Sequence, residues 1–118
     1  MKVLATAPMV AVLLGMLSAS SDDVLGCPDN IAVPAVEECY REVMANPLFK
    51  ATLESQDPFD ANNATQHHVL CCTTETMSTC FRRNLDAPCP AFVEWMVYTM
   101  NSDIKKTFGD KPCDLTAC

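Results

Sequence analysis

Residues 66–80 read Gln-His-His-Val-Leu-Cys-Cys-Thr-Thr-Glu-Thr-Met-Ser-Thr-Cys, and this stretch decides the fold. Apolar side chains recur in it at the spacing that places them along one side of a helix. The pattern predicts that the longest helix of the chain runs from Gln66 to about Leu85. The positions along this side are Val69, Cys72, either Thr76 or Met77, and Cys80.

The neighbouring cysteines of this helix constrain what can pack around it. Cys72 and Cys80 are eight residues apart, so they face the same way on a helix. Cys71 points about 100° away from Cys72. We therefore expect Cys71 to bond to a different element, so that the helix is clamped to two partners at once.

The number of cysteines indicates a disulfide framework. An even count in an exported chain is typical of paired cysteines, here four disulfides. Thiolate zinc sites favour spacings such as Cys-x2-Cys, which do not occur, so we predict neither a metal site nor a cofactor. The spacing leaves the connectivity open. The eight residues are Cys27, Cys39, Cys71, Cys72, Cys80, Cys89, Cys113 and Cys118.

Two shorter helices are predicted before residue 66. Apolar residues recur at the helical period from Pro34 to Met44, and proline is favoured in a first helical turn. Asn46-Pro47 should break this helix, because the residue before a proline avoids helical geometry. A second helix is predicted from Pro47 to Glu54. The turn-forming residues 56–63 then predict a loop.

A last helix is predicted from Ala91 to Phe108, with Gly109 as its C-terminal cap. We expect the tail from Lys111 to Cys118 to be pinned by its two cysteines. The fold class is therefore all-α, a small disulfide-stapled bundle of three to four helices. The predicted buried face of the last helix consists of Phe92, Trp95, Met96, Met100 and Ile104.

The N-terminal residues have the pattern of a secretory signal. Lys2 precedes an apolar stretch from Val10 to Leu17, and the small residues 18–20 follow it. We predict a signal peptide over residues 1–20 and a single cysteine-rich domain over residues 21–118. The protein is then secreted and extracellular, and no other apolar run approaches the length of a membrane span.

The charge of the predicted mature chain excludes some partners. Without residues 1–20, seven basic and fifteen acidic side chains remain, a net charge of −8. Such a chain is repelled by phosphate backbones and by anionic lipid surfaces. We therefore expect no nucleic-acid partner.

The sequence carries no arrangement of catalytic residues. The run after Cys71-Cys72 lacks the His-Asp pair of secreted phospholipases A2, and no serine lies in the glycine-rich surroundings of a hydrolase nucleophile. His67 and His68 diverge by about 100° on a helix, so we interpret them as neutral surface histidines. Asn63-Ala-Thr matches the acceptor pattern for N-glycosylation, which makes Asn63 a candidate glycosylation site.

The order of the eight cysteines is similar to that of plant lipid-transfer proteins, which are helical and enclose an apolar tunnel. In this chain eight residues separate Cys80 from Cys89, where that family has Cys-x-Cys. A looser likeness to arthropod microplusins rests on Cys27 and Glu38-Cys39. Neither resemblance transfers a residue role, and no family is assigned from the sequence.

Two hypotheses on function follow from these observations. The first is a secreted, non-catalytic protein that binds another macromolecule, such as an extracellular protein or receptor, as toxins, effectors and defence proteins do. The alternative is an extracellular carrier of a small apolar ligand in a cavity between the long helices. The side chains expected to line that cavity are Val69, Met77, Phe92, Trp95, Met96 and Met100.

Overall fold

The computed structural model describes residues 25–118, which form an all-α bundle without β-strands. The predicted fold class, a small disulfide-stapled helical bundle, is confirmed. The predicted signal peptide lies outside the described residues. The helices are α1 (Asp29–Met44), α2 (Pro47–Glu54), α3 (Ala64–Leu85) and α4 (Pro90–Phe108), and a short 3₁₀ helix follows (Leu115–Ala117).

Helix α3 occupies the centre of the bundle. It contacts α1, α2, α4 and the 3₁₀ helix, so it has neighbours on several sides. Its buried residues accordingly extend beyond the single apolar side that the sequence predicts, and they include Leu70, Phe81 and Leu85. A helix that is covered on several sides buries residues around most of its circumference.

All eight cysteines lie in the described part of the chain, and none of them is free. The predicted framework of four disulfides is confirmed. Two of the bonds, which we call the core disulfides, join Cys27 to Cys89 and Cys39 to Cys80. All four of these cysteines are buried, so the core disulfides lie inside the hydrophobic core.

Helix α1 begins at Asp29, earlier than the predicted start at Pro34. Pro28 caps it in an extended conformation, and the Pro28 carbonyl accepts a hydrogen bond from the amide of Ala32. Pro34 therefore lies inside the helix, where it removes one backbone hydrogen bond. The reason for the longer helix is tertiary, because the disulfide from Cys27 fixes the chain just before α1 and Ala32 is fully buried.

Helix α2 has the bounds that the sequence predicts. The side chain of Asn46 accepts hydrogen bonds from the amides of Leu48 (2.9 Å) and Phe49 (3.2 Å), and Pro47 occupies the first helical turn. An asparagine cap followed by proline is a favoured helix start. The break between α1 and α2 is therefore local in origin.

The buried face of α4 matches the prediction at four of its five positions. Phe92, Met96, Met100 and Ile104 are buried, but Trp95 is only half-buried and packs against the edge of the core. The prediction that Trp95 belongs to the buried face was wrong in degree, because its side chain is half-buried and packs against the core. Its ring meets that of Phe92 at a centroid distance of 6.5 Å, and other large side chains of the bundle fill the centre.

One acidic side chain of α4 is poorly accommodated. Burial raises the pKa of Asp103, an effect that Lys106 partly offsets, and the Asp103 Oδ2 atom is buried without a hydrogen-bond partner. A carboxyl whose pKa is raised in the folded state costs stability at neutral pH. The cost disappears as the pH falls below the ordinary pKa of aspartate.

Replacing Asp103 by asparagine should therefore stabilise the protein at pH 7, by up to about 1 kcal/mol after allowance for solvent screening. The gain should shrink as the pH is lowered towards 3, which urea unfolding at several pH values measures. Asp110→Asn is the matched control, because the Asp110 side chain is 86% exposed. An equal gain from both variants at pH 7 would contradict the argument.

Candidate functional site

The C-terminal segment, residues 109–118, is the most unusual surface feature of the bundle, and we call it the tail. Every one of its ten residues is exposed, so none of them belongs to the core. It leaves α4 at Gly109, whose φ of 75° lies in the left-handed region that favours glycine. The predicted C-terminal cap at Gly109 is confirmed.

Two disulfides nevertheless fix the tail to α3. Cys71 is bonded to Cys113 and Cys72 to Cys118, and we call these bonds the tail disulfides. The prediction that the tail is pinned by its cysteines is confirmed. The prediction that Cys71 bonds to a different element from Cys72 was wrong, because both partner cysteines belong to the tail. Cys113 precedes the 3₁₀ helix and Cys118 follows it, so one segment reaches both cysteines of α3.

Polar contacts add to the fixation of the tail. The Lys111 ammonium donates a hydrogen bond to the carbonyl of Ala61 in the loop before α3. Asp114 caps the 3₁₀ helix, since its Oδ1 accepts from the Thr116 amide (3.1 Å) and hydroxyl (2.6 Å). These hydrogen bonds hold the pKa of Asp114 below its usual range, and His68 adds a smaller electrostatic effect.

The two histidines lie beside the tail disulfides. His67 Nε2 is 3.6 Å from Cys71 Sγ, and His68 Nε2 is 3.5 Å from Cys72 Sγ. Both rings are half-buried. Each histidine precedes its cysteine by four residues, which places each ring beside its sulfur on the helix surface.

Each histidine belongs to a separate cluster of potential metal ligands. The ligand atoms of His67, Cys71 and Cys113 lie within 4.8 Å of one another. The same holds for the equivalent atoms of His68, Cys72 and Cys118. While the sulfurs are joined in disulfides, they are not thiolates and do not act as metal ligands.

A cleft of about 200 Å³ lies between α3, α4 and the tail, and we call it the tail cleft. Its lining includes the buried polar residues Thr74 and Ser78, together with the charged residues Glu75 and Arg82. Leu115 of the tail contributes an exposed apolar side chain. The other lining residues are Cys71, Val97, Asn101 and Cys113.

The candidate glycosylation site lies at the N-terminal end of α3. Asn63 is exposed and caps α3, since its Oδ1 accepts a hydrogen bond from the Gln66 amide at 3.0 Å. The amide nitrogen that would carry a glycan is not the capping atom. Attachment of a glycan at Asn63 stays a prediction.

The side chains expected to line an apolar cavity are found elsewhere. Five of the six are almost completely buried in the single hydrophobic core, and Trp95 packs at its edge. None of them lines the tail cleft. The five buried residues are Val69, Met77, Phe92, Met96 and Met100.

The class of the protein is thus a small helical bundle that is stapled by four disulfides and carries a covalently fixed C-terminal surface segment. In residues 25–118, no helix has both the length and the apolar character that a membrane span requires. No family model, curated protein or solved structure matches the chain. Four disulfides in so small a domain are consistent with an extracellular protein.

Sequence reasoning missed the contact between the histidines and the disulfides. The signal is the pairing of two adjacent histidines with two adjacent cysteines four residues later, in His67-His68-Val-Leu-Cys71-Cys72. Residues four apart are neighbours on a helix surface. Once a helix is predicted there, the same spacing predicts both histidine–sulfur contacts.

Proposed function

We propose that the protein acts outside the cell as a non-catalytic binding protein whose contact surface is formed by the tail and the tail cleft. The observation that carries the proposal is the pair of disulfides that hold a segment of ten exposed residues. None of the ten residues is buried, so packing of their side chains into the core does not account for their fixation. Fixing it in one conformation lowers the entropy cost of binding a partner through it.

The chemistry of the contact surface fits a macromolecular partner better than a small substrate. The exposed Leu115 side chain provides an apolar contact at the rim of a cleft whose lining is largely polar. Because the mature domain as predicted is strongly acidic, a partner with a basic contact surface is attracted to it during encounter. An extracellular protein or receptor of that kind is the proposed partner.

The distribution of perturbed acids supports the non-catalytic part of the proposal. Burial raises the pKa of Tyr40 on α1 and that of Asp103 on α4, whereas hydrogen bonds lower the pKa of Asp114 in the tail. Catalytic sites typically gather groups with shifted pKa values in one cleft. Here the three groups lie on three different elements.

Binding of the labelled protein to an array of extracellular protein domains tests the proposal. Leu115→Asp should weaken capture by at least tenfold, because an apolar contact is replaced by a charge. Leu48→Asp is the matched control, since Leu48 is 50% exposed on α2 and Leu115 is 43% exposed in the tail. Equal loss in both variants, or no capture of the unmodified protein, would count against this surface.

The carrier hypothesis remains the alternative. Its predicted lining residues are packed in the core, so a ligand would have to displace core contacts in order to enter. A thermal-shift screen against fatty acids and sterols tests it. A clear stabilisation by one of these ligands would favour the carrier over the binding protein.

A further inference from the structure

The core and tail disulfides differ in their access to solvent. All four cysteines of the core disulfides are buried, with exposures of 0% to 2%. In each tail disulfide the cysteine on α3 is buried, but Cys113 and Cys118 are exposed. Thiol–disulfide exchange requires direct attack on a sulfur, so access limits its rate. A reductant therefore reaches the tail disulfides before the core disulfides.

Opening of the tail disulfides leaves each histidine beside two thiols. The separations of 3.6 Å between His67 Nε2 and Cys71 Sγ and of 3.5 Å between His68 Nε2 and Cys72 Sγ suit a tetrahedral zinc ion. Ordinary zinc–nitrogen and zinc–sulfur bond lengths place those two ligand atoms about 3.6 Å apart. The helix thus presents half of each site in nearly the required geometry.

The second thiolate of each site comes from the tail. In a tetrahedral zinc site two thiolate sulfurs lie about 3.8 Å apart, so Cys113 and Cys118 must shift outwards when a metal replaces the disulfide bond. Both residues are exposed and belong to a segment without buried residues, so no core packing of these side chains opposes the movement. Each complete site then offers one imidazole and two thiolates.

The surroundings of the His67 ring support this arrangement. The His67 ring packs against the buried Phe108 ring at a centroid distance of 5.0 Å, which restricts its orientation. A fixed ring orientation is typical of the histidine ligands of zinc sites.

We propose that the protein binds two zinc ions when its tail disulfides are reduced, one at His67, Cys71 and Cys113 and the other at His68, Cys72 and Cys118. A dithiol gives two electrons and two protons to each tail disulfide, becomes a cyclic disulfide itself and leaves two cysteine thiols. Binding of Zn²⁺ replaces both thiol protons, which are released. The tail then changes from a disulfide-linked segment to a metal-linked one.

Limited reduction with a dithiol, followed by equilibrium dialysis against Zn²⁺ and metal analysis, tests the proposal. Mass spectrometry after alkylation should count four thiols per chain, and metal analysis should find two zinc ions per chain. The variant with Cys71, Cys72, Cys113 and Cys118 all replaced by serine should bind none under the same conditions. No zinc in the unmodified chain at four thiols, or equal zinc in both proteins, would overturn the proposal.

A second variant avoids the reductant and keeps the core disulfides intact. Cys113→Ser/Cys118→Ser leaves Cys71 and Cys72 as free thiols beside His67 and His68. Added Co²⁺ should then give a thiolate-to-cobalt charge-transfer band. The same variant with His67→Gln and His68→Gln should bind Co²⁺ at least tenfold more weakly, and an unchanged affinity would remove the histidines from the sites.

Discussion

Removal of a single core disulfide should destabilise the protein more than removal of both tail disulfides. Cys39→Ala/Cys80→Ala should lower the free energy of unfolding by roughly 4 kcal/mol, because the disulfide closes a loop with a sequence separation of 41 residues in the unfolded chain. This disulfide joins α1 to α3 in the core. After the bond is lost, core packing still holds the two helices together in the folded state. The folded state therefore gains little conformational entropy, and the entropy gained by the unfolded chain is not offset.

The tail disulfides have similar sequence separations of 42 and 46 residues, so loop length alone predicts a similar effect for each. The difference lies in the folded state. Without its disulfides, the exposed tail becomes free in the folded protein as well as in the unfolded chain, and the two gains in entropy largely cancel. Replacing all four tail-disulfide cysteines by alanine should therefore cost only about 1–2 kcal/mol.

Urea unfolding under oxidising conditions measures both variants, and circular dichroism before unfolding verifies that each retains its helices. The comparison is controlled internally, because both variants replace cysteines by alanine and both shorten buried side chains on α3. If the two variants lose equal stability, the tail is held by non-covalent contacts as firmly as α1 is held to α3.

Phe81→Ala should have one of the largest effects of any single substitution in the core. Phe81 and Phe92 are both 0% exposed and are the largest of the fully buried side chains. Truncation of a buried phenylalanine typically costs about 3–5 kcal/mol, from the lost transfer free energy and the cavity that remains. In a domain of this size the melting temperature should fall by roughly 15–30 °C.

Tyr98→Ala is the matched control for this prediction, because Tyr98 is 72% exposed on α4. Its effect should stay within about 0.5 kcal/mol. Trp95→Ala should fall between the two, since Trp95 is half-buried at the edge of the core. A thermal unfolding series measures all three variants, and a larger loss from Trp95→Ala than from Phe81→Ala would contradict this ranking.

The helices were predictable wherever local signals set their ends. The cap at Asn46, the proline after it and the glycine at position 109 act within a few residues, so the bounds of α2 and the end of α4 follow from the sequence. The start of α1 does not. It depends on the disulfide between Cys27 and Cys89, which are separated by 62 residues.

The candidate site was less predictable than the fold. The tail was expected to be pinned by its two cysteines, and the structure confirms this. The position of His67 and His68 against the sulfurs was not predicted, because the divergence of two adjacent side chains does not reveal the neighbour that each has four residues later on the helix. The tail cleft requires α3, α4 and the tail together, so no single segment indicates it.

The sequence by itself determined that the chain forms helices and where most of them end, because periodicity and capping depend on residues that are close in sequence. It also determined that the eight cysteines pair, because this follows from their even number. Only the tertiary structure decided which cysteines pair with which, that α3 is the central helix, and that Phe81 and not Trp95 fills the core. The physical reason is that pairing and burial depend on which surfaces meet in space. Residues that are adjacent in sequence do not specify which surfaces come into contact.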